Sequence, residues 1–343
     1  MAGVLLCVLV LSVFESAAQE QAGGLITGRL TDAETGEPLA SANVYLSYTT
    51  IGTTTSEAGT FRIGNLSAGV FDLVASLIGY ERRVISVRIA GPDSAFYEIA
   101  LSARVLQTDP VEVVSSPPEE WMENLERFKK AFIGESANAE QCRILNPEVL
   151  NFQNDSNSHY LIAGSDSIVR IENLALGYTI SFILAKFSWD LDRDAGEYLI
   201  YPKFESLASL DPKRIAAWEQ SRLECFDGSL QHFLRSLDLD AAGDADFRVY
   251  AGKRAKLMAG EGHIVNPGEL IAREDDASPF KQLSFSGDIR VEYRHYFKEC
   301  TSFLRLREKT ALIDSFGNLV NPLSVEVSGS WAKNRISDLL PRQ

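Results

Sequence analysis

Apolar and polar side chains alternate along the first hundred residues, with the period that is typical of β-strands. In residues 43–48 the apolar or aromatic set begins at Val44, and in residues 70–78 it begins at Phe71. Period two over five or more residues predicts a half-buried strand. Between these runs stand turn residues such as the Asp, Thr, Gly and Pro of residues 32–38. Short strands joined by glycine-containing turns predict an antiparallel β-sandwich.

Several residues in these strands and turns resemble the carboxypeptidase regulatory-like domain. The matching motifs are Gly28-x-Leu30-x-Asp32, Thr35-Gly36-x-Pro38-Leu39, Ala42-x-Val44, Gly59-x-Phe61-x-Ile63, Leu66-x-x-Gly69 and Ile78-Gly79-Tyr80. The resemblance covers residues 25–103 and implies a transthyretin-like sandwich of seven strands. Such domains accompany metallocarboxypeptidases, outer-membrane transporters and envelope proteins of unassigned role. The resemblance therefore implies a compartment more than an activity.

The pattern changes after residue 115, where we expect a second domain to begin. Residues 104–115 are expected to form a last strand and a linker. Residues 116–119 read as a helix-capping box, and an apolar helix face follows that ends at Gly134; its members are Trp121, Leu125, Phe128 and Phe132. Asp211 and Pro212 predict the start of another helix, which carries Trp218 and is expected to kink or break at Gly228.

Strand-like alternation fills much of the remaining sequence. Residues 178–184 and 197–204 predict a hairpin, and the longest alternating run spans residues 283–297. Shorter apolar runs at residues 303–306, 311–314 and 323–327 are expected beside it. Residues 116–343 are therefore predicted to be an α+β domain with a mostly antiparallel sheet. The region resembles the C-terminal part of other bacterial envelope proteins of unknown function.

The N-terminus predicts export. Residues 4–14 are apolar except for Ser12, and the small residues 16–18 offer a cleavage site, although no Lys or Arg precedes the run. We expect residues 1–19 to be a signal peptide and the mature chain to begin near Gln19 or Glu20. The expected location is the periplasm or the outer membrane of a Gram-negative-type bacterium. No transmembrane segment is expected in the mature chain.

Charge and cysteine content narrow the functional classes. A formal net charge of −14 over 343 residues argues against nucleic-acid binding, which requires a basic surface. Cleavage would remove Cys7 and leave Cys142, Cys225 and Cys300, which form no Cys-x-x-Cys pair. Two interpretations stay open. The favoured one is three buried thiols, and the other is one disulfide with one free thiol.

Two catalytic signatures are incomplete in the sequence. The carboxypeptidase zinc motif His-x-x-Glu is absent, because no Glu stands three positions after any of the four histidines, His159, His232, His263 and His295. Ser136 lies in a Gly-Glu-Ser-Ala-Asn run that is similar to a nucleophile elbow. However, a helix precedes this serine where the elbow requires a strand. A helix end followed by a turn is therefore the favoured interpretation, and no catalytic or cofactor-binding residue is assigned.

One candidate metal site is an acidic loop. Asp190, Asp192 and Asp194 have the spacing of the first three calcium ligands of an EF-hand, but Ala195 and Tyr201 stand where that loop has Gly and Glu. A solvated hairpin tip is favoured, and calcium is not expected to stabilise the chain greatly. A second acidic loop has poorer spacing; it contains Asp238, Asp240, Asp244 and Asp246.

Among the aromatic residues, Tyr45 is expected on the surface of the sandwich and Tyr48 in its core. Taken together, the patterns favour an exported, non-enzymatic envelope protein with a β-sandwich that serves in binding or assembly. Its partner would be an envelope protein or a glycan, bound by residues 116–343. The alternative is a hydrolase whose active site lies unrecognised in residues 116–343.

Overall fold

The structure is a computed structural model that describes residues 23–342, apart from residues 90, 93, 105–117, 155–158, 166, 243–244, 274–277, 279 and 296–297. The expected signal peptide, Cys7, almost all of the expected linker and the first residues of the capping box lie outside the described residues.

A seven-stranded sandwich occupies residues 24–101, as the alternation predicted. Its strands are β1 (Gly24–Asp32), β2 (Asn43–Leu46), β3 (Gly52–Thr54), β4 (Thr60–Leu66), β5 (Gly69–Ser76), β6 (Arg83–Ile89) and β7 (Ser94–Leu101). One sheet has the order β4-β1-β7 and the other β3-β2-β5-β6. β1 and β7 pair in parallel, whereas the other neighbours are antiparallel. The buried side chains of this first sandwich form one cluster of its own, from Ile26 to Leu101.

A second sandwich follows a helix. The helix α1 (Glu119–Phe128) continues as a π-helical turn, Lys129–Ile133, which ends at Gly134 with φ at 102°. The strands are β8 (Cys142–Ile144), β9 (Leu150–Asn154), β10 (Tyr160–Ser165), β11 (Val169–Asn173), β12 (Tyr178–Phe182), β13 (Leu184–Asp190), β14 (Ala195–Ile200) and β15 (Lys203–Ser206). They form two four-stranded sheets, β14-β13-β10-β9 and β15-β12-β11-β8.

The apolar helix face predicted from the sequence packs into this second sandwich. Leu125, Phe128 and Phe132 are buried in its core cluster, and Ile336 joins them from the end of the chain. Trp121 is partly buried and donates a hydrogen bond from Nε1 to the Leu150 carbonyl, at 3.0 Å.

Residues 212–329 contain three more helices and two further sheets, and we call this region the helix-bearing domain. Its helices are α2 (Pro212–Phe226), α3 (Leu230–Asp238) and α4 (Arg254–Met258). Its strands are β16 (Phe247–Gly252), β17 (His263–Val265), β18 (Ile271–Arg273), β19 (Lys281–Leu283), β20 (Asp288–His295), β21 (Lys298–Leu306), β22 (Ala311–Ile313) and β23 (Val325–Gly329). The sheets have the orders β17-β16-β20-β21-β23 and β18-β19-β22. Single 3₁₀ turns connect the elements at Ala139–Gln141, Pro147–Val149, Pro267–Leu270, Pro322–Ser324, Trp331–Lys333 and Ile336–Asp338.

Two local predictions in this region have different outcomes. The helix predicted from Asp211 is confirmed, because Asp211 Oδ1 accepts a hydrogen bond from the Lys213 amide at 3.0 Å, and the helix breaks at Gly228. The uninterrupted strand suggested by residues 283–297 is wrong. Gly287 has φ at 77°, a left-handed conformation that separates β19 from β20 and assigns them to different sheets.

The predicted fold class is confirmed: an N-terminal all-β sandwich precedes an α+β region with antiparallel sheets. The division at residue 116 stays a prediction. Between residues 119 and 342 the buried side chains form two clusters, one in the second sandwich and one around α3 and β20. No described helix has the length and apolar character needed to cross a membrane.

Candidate functional site

The turn after β2 joins the first sandwich to the second. The Tyr48 amide donates to the Pro202 carbonyl at 2.7 Å, and the Phe204 amide donates to the Thr49 carbonyl at 3.0 Å. Thr49 and Lys203 form a parallel bridge. The turn thus adds a short segment to β15, which is an edge strand of its own sheet.

Side chains reinforce this junction. The Tyr45 hydroxyl donates to the Tyr201 carbonyl at 3.0 Å. Burial raises the pKa of Tyr45 to about 12 and also raises the pKa of Tyr48, so both phenols keep their protons at neutral pH. The Arg342 guanidinium lies 5.1 Å from the centre of the Tyr48 ring and donates to the Val70 carbonyl at 3.2 Å.

The two tyrosines differ from what the alternation predicted. Tyr48 is outside the core cluster of the first sandwich and lies in the turn, with φ at 61°. Tyr45 does point away from that core, but the second sandwich covers it and leaves it only 9% exposed. The alternation gave the face of Tyr45 correctly, whereas the covering surface comes from residues far along the chain.

A cleft of about 260 Å³ lies beside this junction, between the outer faces of two sheets. Its lining residues are Asn43, Tyr45, Val74, Ser76, Arg82, Ile168, Arg170, Ser181, Phe182, Ile183, Lys203 and Glu205. On the first sandwich the cross-strand pairs Asn43–Ser76 and Tyr45–Val74 form one wall.

Three neighbouring strands form the opposite wall. Arg170 on β11 pairs with Ser181 on β12, which in turn pairs with Lys203 on β15. The three side chains share the outer face, because alternate residues such as Ile171, Ile180 and Phe204 enter the core cluster. Arg82 reaches the cleft from the loop before β6.

The charge of the cleft is positive. Three cations line it against one carboxylate, that of Glu205, which accepts from Lys203 Nζ at 2.8 Å. The Arg82 guanidinium lies 5.7 Å from the centre of the Tyr201 ring. Within the described part of the chain, neither Arg82 nor Arg170 forms an ion pair with a carboxylate. An excess of positive charge at one place in a chain of net charge −14 favours an anionic ligand.

Ser136 contributes to a hydrogen-bonded contact between two turns of the chain. Its hydroxyl donates to Asp338 Oδ1 at 3.0 Å, and Asn138 Nδ2 donates to the same oxygen at 2.8 Å. Ser337 Oγ lies 3.2 Å from Ser136 Oγ. These contacts attach the 3₁₀ turn Ile336–Asp338 to the end of the first helical segment. No histidine is among these contacts, so they do not form the serine–histidine pair that a nucleophile elbow uses.

The three cysteines are free thiols. Burial raises the pKa of Cys142 to about 12 and that of Cys225 to about 11, and it also raises the pKa of Cys300. A thiol is nucleophilic only as the thiolate, so these groups are poorly suited to nucleophilic chemistry at neutral pH.

The candidate calcium loop is the tip of the β13–β14 hairpin. Asp190 Oδ1 accepts from the amides of Asp192 and Arg193, at 3.0 and 3.1 Å, and these bonds lower the pKa of Asp190. Asp194 Oδ1 accepts from Trp189 Nε1 at 3.1 Å, and Asp192 Oδ2 lies 2.8 Å from His159 Nδ1. The three carboxylates therefore hold separate partners. The described residues contain no group of three or more His, Cys, Asp or Glu side chains arranged to hold a metal.

Three titratable side chains that the sequence analysis did not bring together, Asp227, His232 and Tyr293, meet where α2 ends and α3 begins. The buried Tyr293 donates from its hydroxyl to Asp227 Oδ1 at 2.5 Å, and His232 Nδ1 accepts from the Gly228 amide at 3.0 Å. Burial lowers the pKa of His232, so its neutral form is favoured. Nearby, His295 Nδ1 lies 2.6 Å from Asp246 Oδ2, in the second acidic loop.

Among the residues that line the cleft, the sequence analysis singled out Tyr45 but missed the three cations. Alternation could have placed Arg170 and Lys203 on outward-facing positions, but no sequence signal states that one outer face lies opposite another. Arg82, Arg170 and Lys203 are brought together only by the docking of the first sandwich on β15.

Several solved structures share a low level of similarity with this chain. Among solved structures, a mutant type II cohesin-X-dockerin complex from Acetivibrio cellulolyticus is 20% identical, covers 34% of this chain and 80% of its own, and has a TM-score of 0.22. A putative carbohydrate binding protein from Bacteroides uniformis is 12% identical, with 44% and 53% covered and a TM-score of 0.20. A minor pilin from Streptococcus agalactiae is 18% identical, with 27% and 49% covered and a TM-score of 0.21. At these TM-scores the likeness carries no argument about function.

No curated protein matches the chain. One family model does match it, over residues 26–113, and its description is the CarboxypepD_reg-like domain. The match confirms the family suggested by the turn and strand motifs. Residues 26–113 are therefore a CarboxypepD_reg-like domain, whose seven-stranded sandwich docks on the edge of a second one.

Proposed function

We propose that this chain is an exported, non-enzymatic protein of the cell envelope that binds its ligand in the cleft between the two sandwiches. The observation that carries the proposal is the pair of arginines, Arg82 and Arg170, in a cleft where neither has a carboxylate partner among the described residues. Convergent polar groups in a concave site are typical of ligand binding.

The contacts of Ser136 and of the three cysteines support a binding role. The Ser136 hydroxyl donates to Asp338 in a contact between two turns, and burial raises the pKa values of the three thiols, which disfavours their nucleophilic thiolate form at neutral pH. The family of the first sandwich supports an envelope location, periplasmic or outer-membrane-associated. The apolar run of residues 4–14 supports export.

Export is tested by fractionating the producing bacterium and sequencing the N-terminus of the protein. We expect the protein outside the cytoplasm, with a first residue near Gln19 or Glu20. An intact Met1 on protein recovered from the cytoplasm would contradict export.

Binding at the cleft is tested by co-sedimentation of the full chain with purified cell-envelope fragments. Ser181→Trp should fill the cleft from its centre and abolish co-sedimentation. Ser94→Trp, an exposed position on β7 in the other sheet of the first sandwich, is the matched control and should co-sediment like the parent protein. Equal co-sedimentation of the Ser181 variant would contradict the proposed site.

A hydrolase in residues 116–343 is the alternative, and the Asp227, His232 and Tyr293 group is the specific observation in its favour. The test is an assay with chromogenic esters, amides and glycosides. We expect no turnover by the parent protein. Turnover that Tyr293→Phe reduces strongly would replace the binding proposal with the enzymatic one.

A further inference from the structure

The geometry of the cleft points to an acidic sugar as its ligand, with the sugar carboxylate bound by Arg82 and Arg170. This inference rests on the proposed binding function and adds the chemical class of the ligand. The ligand would be a uronic acid, alone or as a residue of an acidic glycan, whose hydroxyl groups bind the amide and hydroxyl groups of the cleft.

The positive charges of the cleft indicate that its ligand carries a carboxylate. A guanidinium presents a planar fork of donors that matches a carboxylate, and such charge-assisted bonds are stronger than neutral ones. Lys203 already has a carboxylate partner in Glu205 at 2.8 Å, whereas Arg82 and Arg170 have no carboxylate partner within the described residues. A ligand carboxylate would supply the missing partner. A neutral sugar would leave both guanidinium groups without one.

The uncharged polar residues of the cleft indicate that its ligand also carries hydroxyl groups. Asn43 offers an amide that can both donate and accept, and Ser76 and Ser181 each offer a hydroxyl. Asn43 and Ser76 are cross-strand neighbours on one wall, and Ser181 lies on the other. Groups of this kind on opposite walls suit a ring that carries hydroxyls around its edge.

The construction of the walls favours a sugar over a peptide. Peptides that bind to sheets add a strand to a free edge. The walls here are sheet faces, and β2, β5, β11 and β12 are all internal strands of their sheets. β15 is an edge strand, but its backbone is already paired with the turn that contains Tyr48 and Thr49. The cleft therefore offers side chains to its ligand and no strand edge.

The volume of the cleft and the burial of its aromatic rings determine how a ligand can bind there. A volume of about 260 Å³ is smaller than the range of about 300–1,000 Å³ that is typical for drug-sized ligands, so one sugar residue is the expected occupant. Phe182 is only 1% exposed and Tyr45 only 9%, so neither ring can serve as a stacking platform. Binding would depend on charge and hydrogen bonds, and salt should weaken it.

The test is a calorimetric or NMR titration of the full chain with three probes: sodium D-glucuronate, D-glucose and N-acetyl-dialanine. Glucose carries a neutral CH2OH group where glucuronate has its carboxylate, and the peptide carries a carboxylate without the sugar. We expect glucuronate to bind at least about tenfold more tightly than either, because a charge-assisted bond typically exceeds the free energy of one factor of ten.

Variants then locate the binding. Arg82→Gln and Arg170→Gln should each weaken glucuronate binding by about tenfold or more. Arg62→Gln is the matched control, since Arg62 is an exposed arginine on β4, in the other sheet of the first sandwich, and it should leave the affinity unchanged. A melting curve of each variant checks that it is folded.

Three outcomes would overturn the inference. These are equal affinity for glucose and glucuronate, undiminished affinity in both cleft variants, and tighter binding of the peptide than of the sugar acid. If Ser181→Trp abolishes envelope binding while glucuronate does not bind, the acidic-sugar inference is wrong and the proposed function stands. If glucuronate binds at the cleft but envelope fragments do not co-sediment with the protein, the envelope-binding function is wrong instead.

Discussion

Asp32 closes the first turn of the N-terminal sandwich and connects it to a loop far along the chain. Its Oδ1 accepts from the amides of Glu34 and Thr35, at 2.8 and 2.9 Å, and its Oδ2 accepts from the Tyr80 hydroxyl at 2.9 Å. The amide of Thr35, followed by that of Glu34 and by the Tyr80 hydroxyl, lowers the pKa of Asp32. Two separate family motifs thus meet in one hydrogen-bonded pair.

The Tyr80→Phe variant tests this pair through the pH dependence of stability. Because the folded-state pKa of Asp32 is lowered, its contribution to stability is fully present above the ordinary Asp pKa and is lost as pH falls through the lower folded value. We expect Tyr80→Phe to raise the pKa of Asp32, and so to destabilise the sandwich more at neutral pH than in acid. Chemical denaturation at a series of pH values measures the difference, and a pH-independent difference would contradict the role of the pair.

Gly228 stands at the break between α2 and α3 for two physical reasons. Its φ of 68° lies in the left-handed region, and a Cβ at this position would come within 2.5 Å of Tyr293 Cδ1. The Gly228 carbonyl also accepts from Trp331 Nε1 at 2.6 Å. The turn is therefore held in place by Tyr293, which packs against Gly228, and by Trp331, which donates to the Gly228 carbonyl.

Gly228→Ala should destabilise the helix-bearing domain by about 1–3 kcal/mol, through strain and overpacking. Gly164→Ala is the matched control, because a Cβ at Gly164 would meet no heavy atom within 4 Å and its φ is not left-handed. Urea denaturation followed by circular dichroism compares the two variants. Similar free energies of unfolding would show that the turn can rearrange.

Helix α2 is attached to the turn between β11 and β12 by Trp218. The indole Nε1 donates to the Leu174 carbonyl at 2.8 Å, and Arg222 Nε donates to the Leu176 carbonyl, also at 2.8 Å. The Arg222 guanidinium lies 4.1 Å from the centre of the Tyr178 ring. Gly177 has φ at 70° and leaves space for the indole, since a Cβ there would lie 2.3 Å from Trp218 Cδ2.

Trp218→Ala should lower the stability of α2 by about 3 kcal/mol, because it removes a side chain that is only 7% exposed. Leu223→Ala on the same helix, at a position that is 63% exposed, should change it by less than about 0.5 kcal/mol. Native-state hydrogen exchange measures the opening free energy of the α2 amides. Equal exchange in the two variants would mean that α2 is held by other contacts.

At the scale of the whole molecule, three core clusters are joined by specific surface contacts. The first sandwich docks on the second through the turn that contains Tyr48. It also touches the helix-bearing domain, where Arg88 Nη2 donates to Ser278 Oγ at 3.1 Å and lies over the Phe280 ring. Residues from both sandwiches line the cleft, so we expect binding to require the joined chain.

A fragment of residues 23–104 should fold by itself with a cooperative melt. Its core cluster contains only residues of the first sandwich, and roughly 80 residues is near the size at which one core suffices. Loss of the contacts of Tyr45 and Tyr48 should lower its melting temperature below that of the same domain in the full chain. Calorimetry of both proteins is the measurement. An unfolded fragment, or one that retains the full binding of the intact chain, would contradict this division.

The sequence by itself determined the local features. Alternation and turn residues gave the strands of the first sandwich, because period two and glycine turns depend only on neighbouring residues. Helical spacing gave the buried face of α1, and Asp211 gave the start of α2. The family motifs gave the first domain, which the family model confirms.

Only the tertiary structure decided how these units meet. The cleft depends on two sheet faces whose residues, such as Tyr45 and Arg170, lie more than a hundred positions apart. In the sequence, nothing distinguishes Arg82 or Arg170 from the other cations among the 33 Lys and Arg residues of the chain. Their grouping, like the covering of Tyr45, follows from the docking of one folded surface on another. Neighbouring residues along the chain carry no record of that contact.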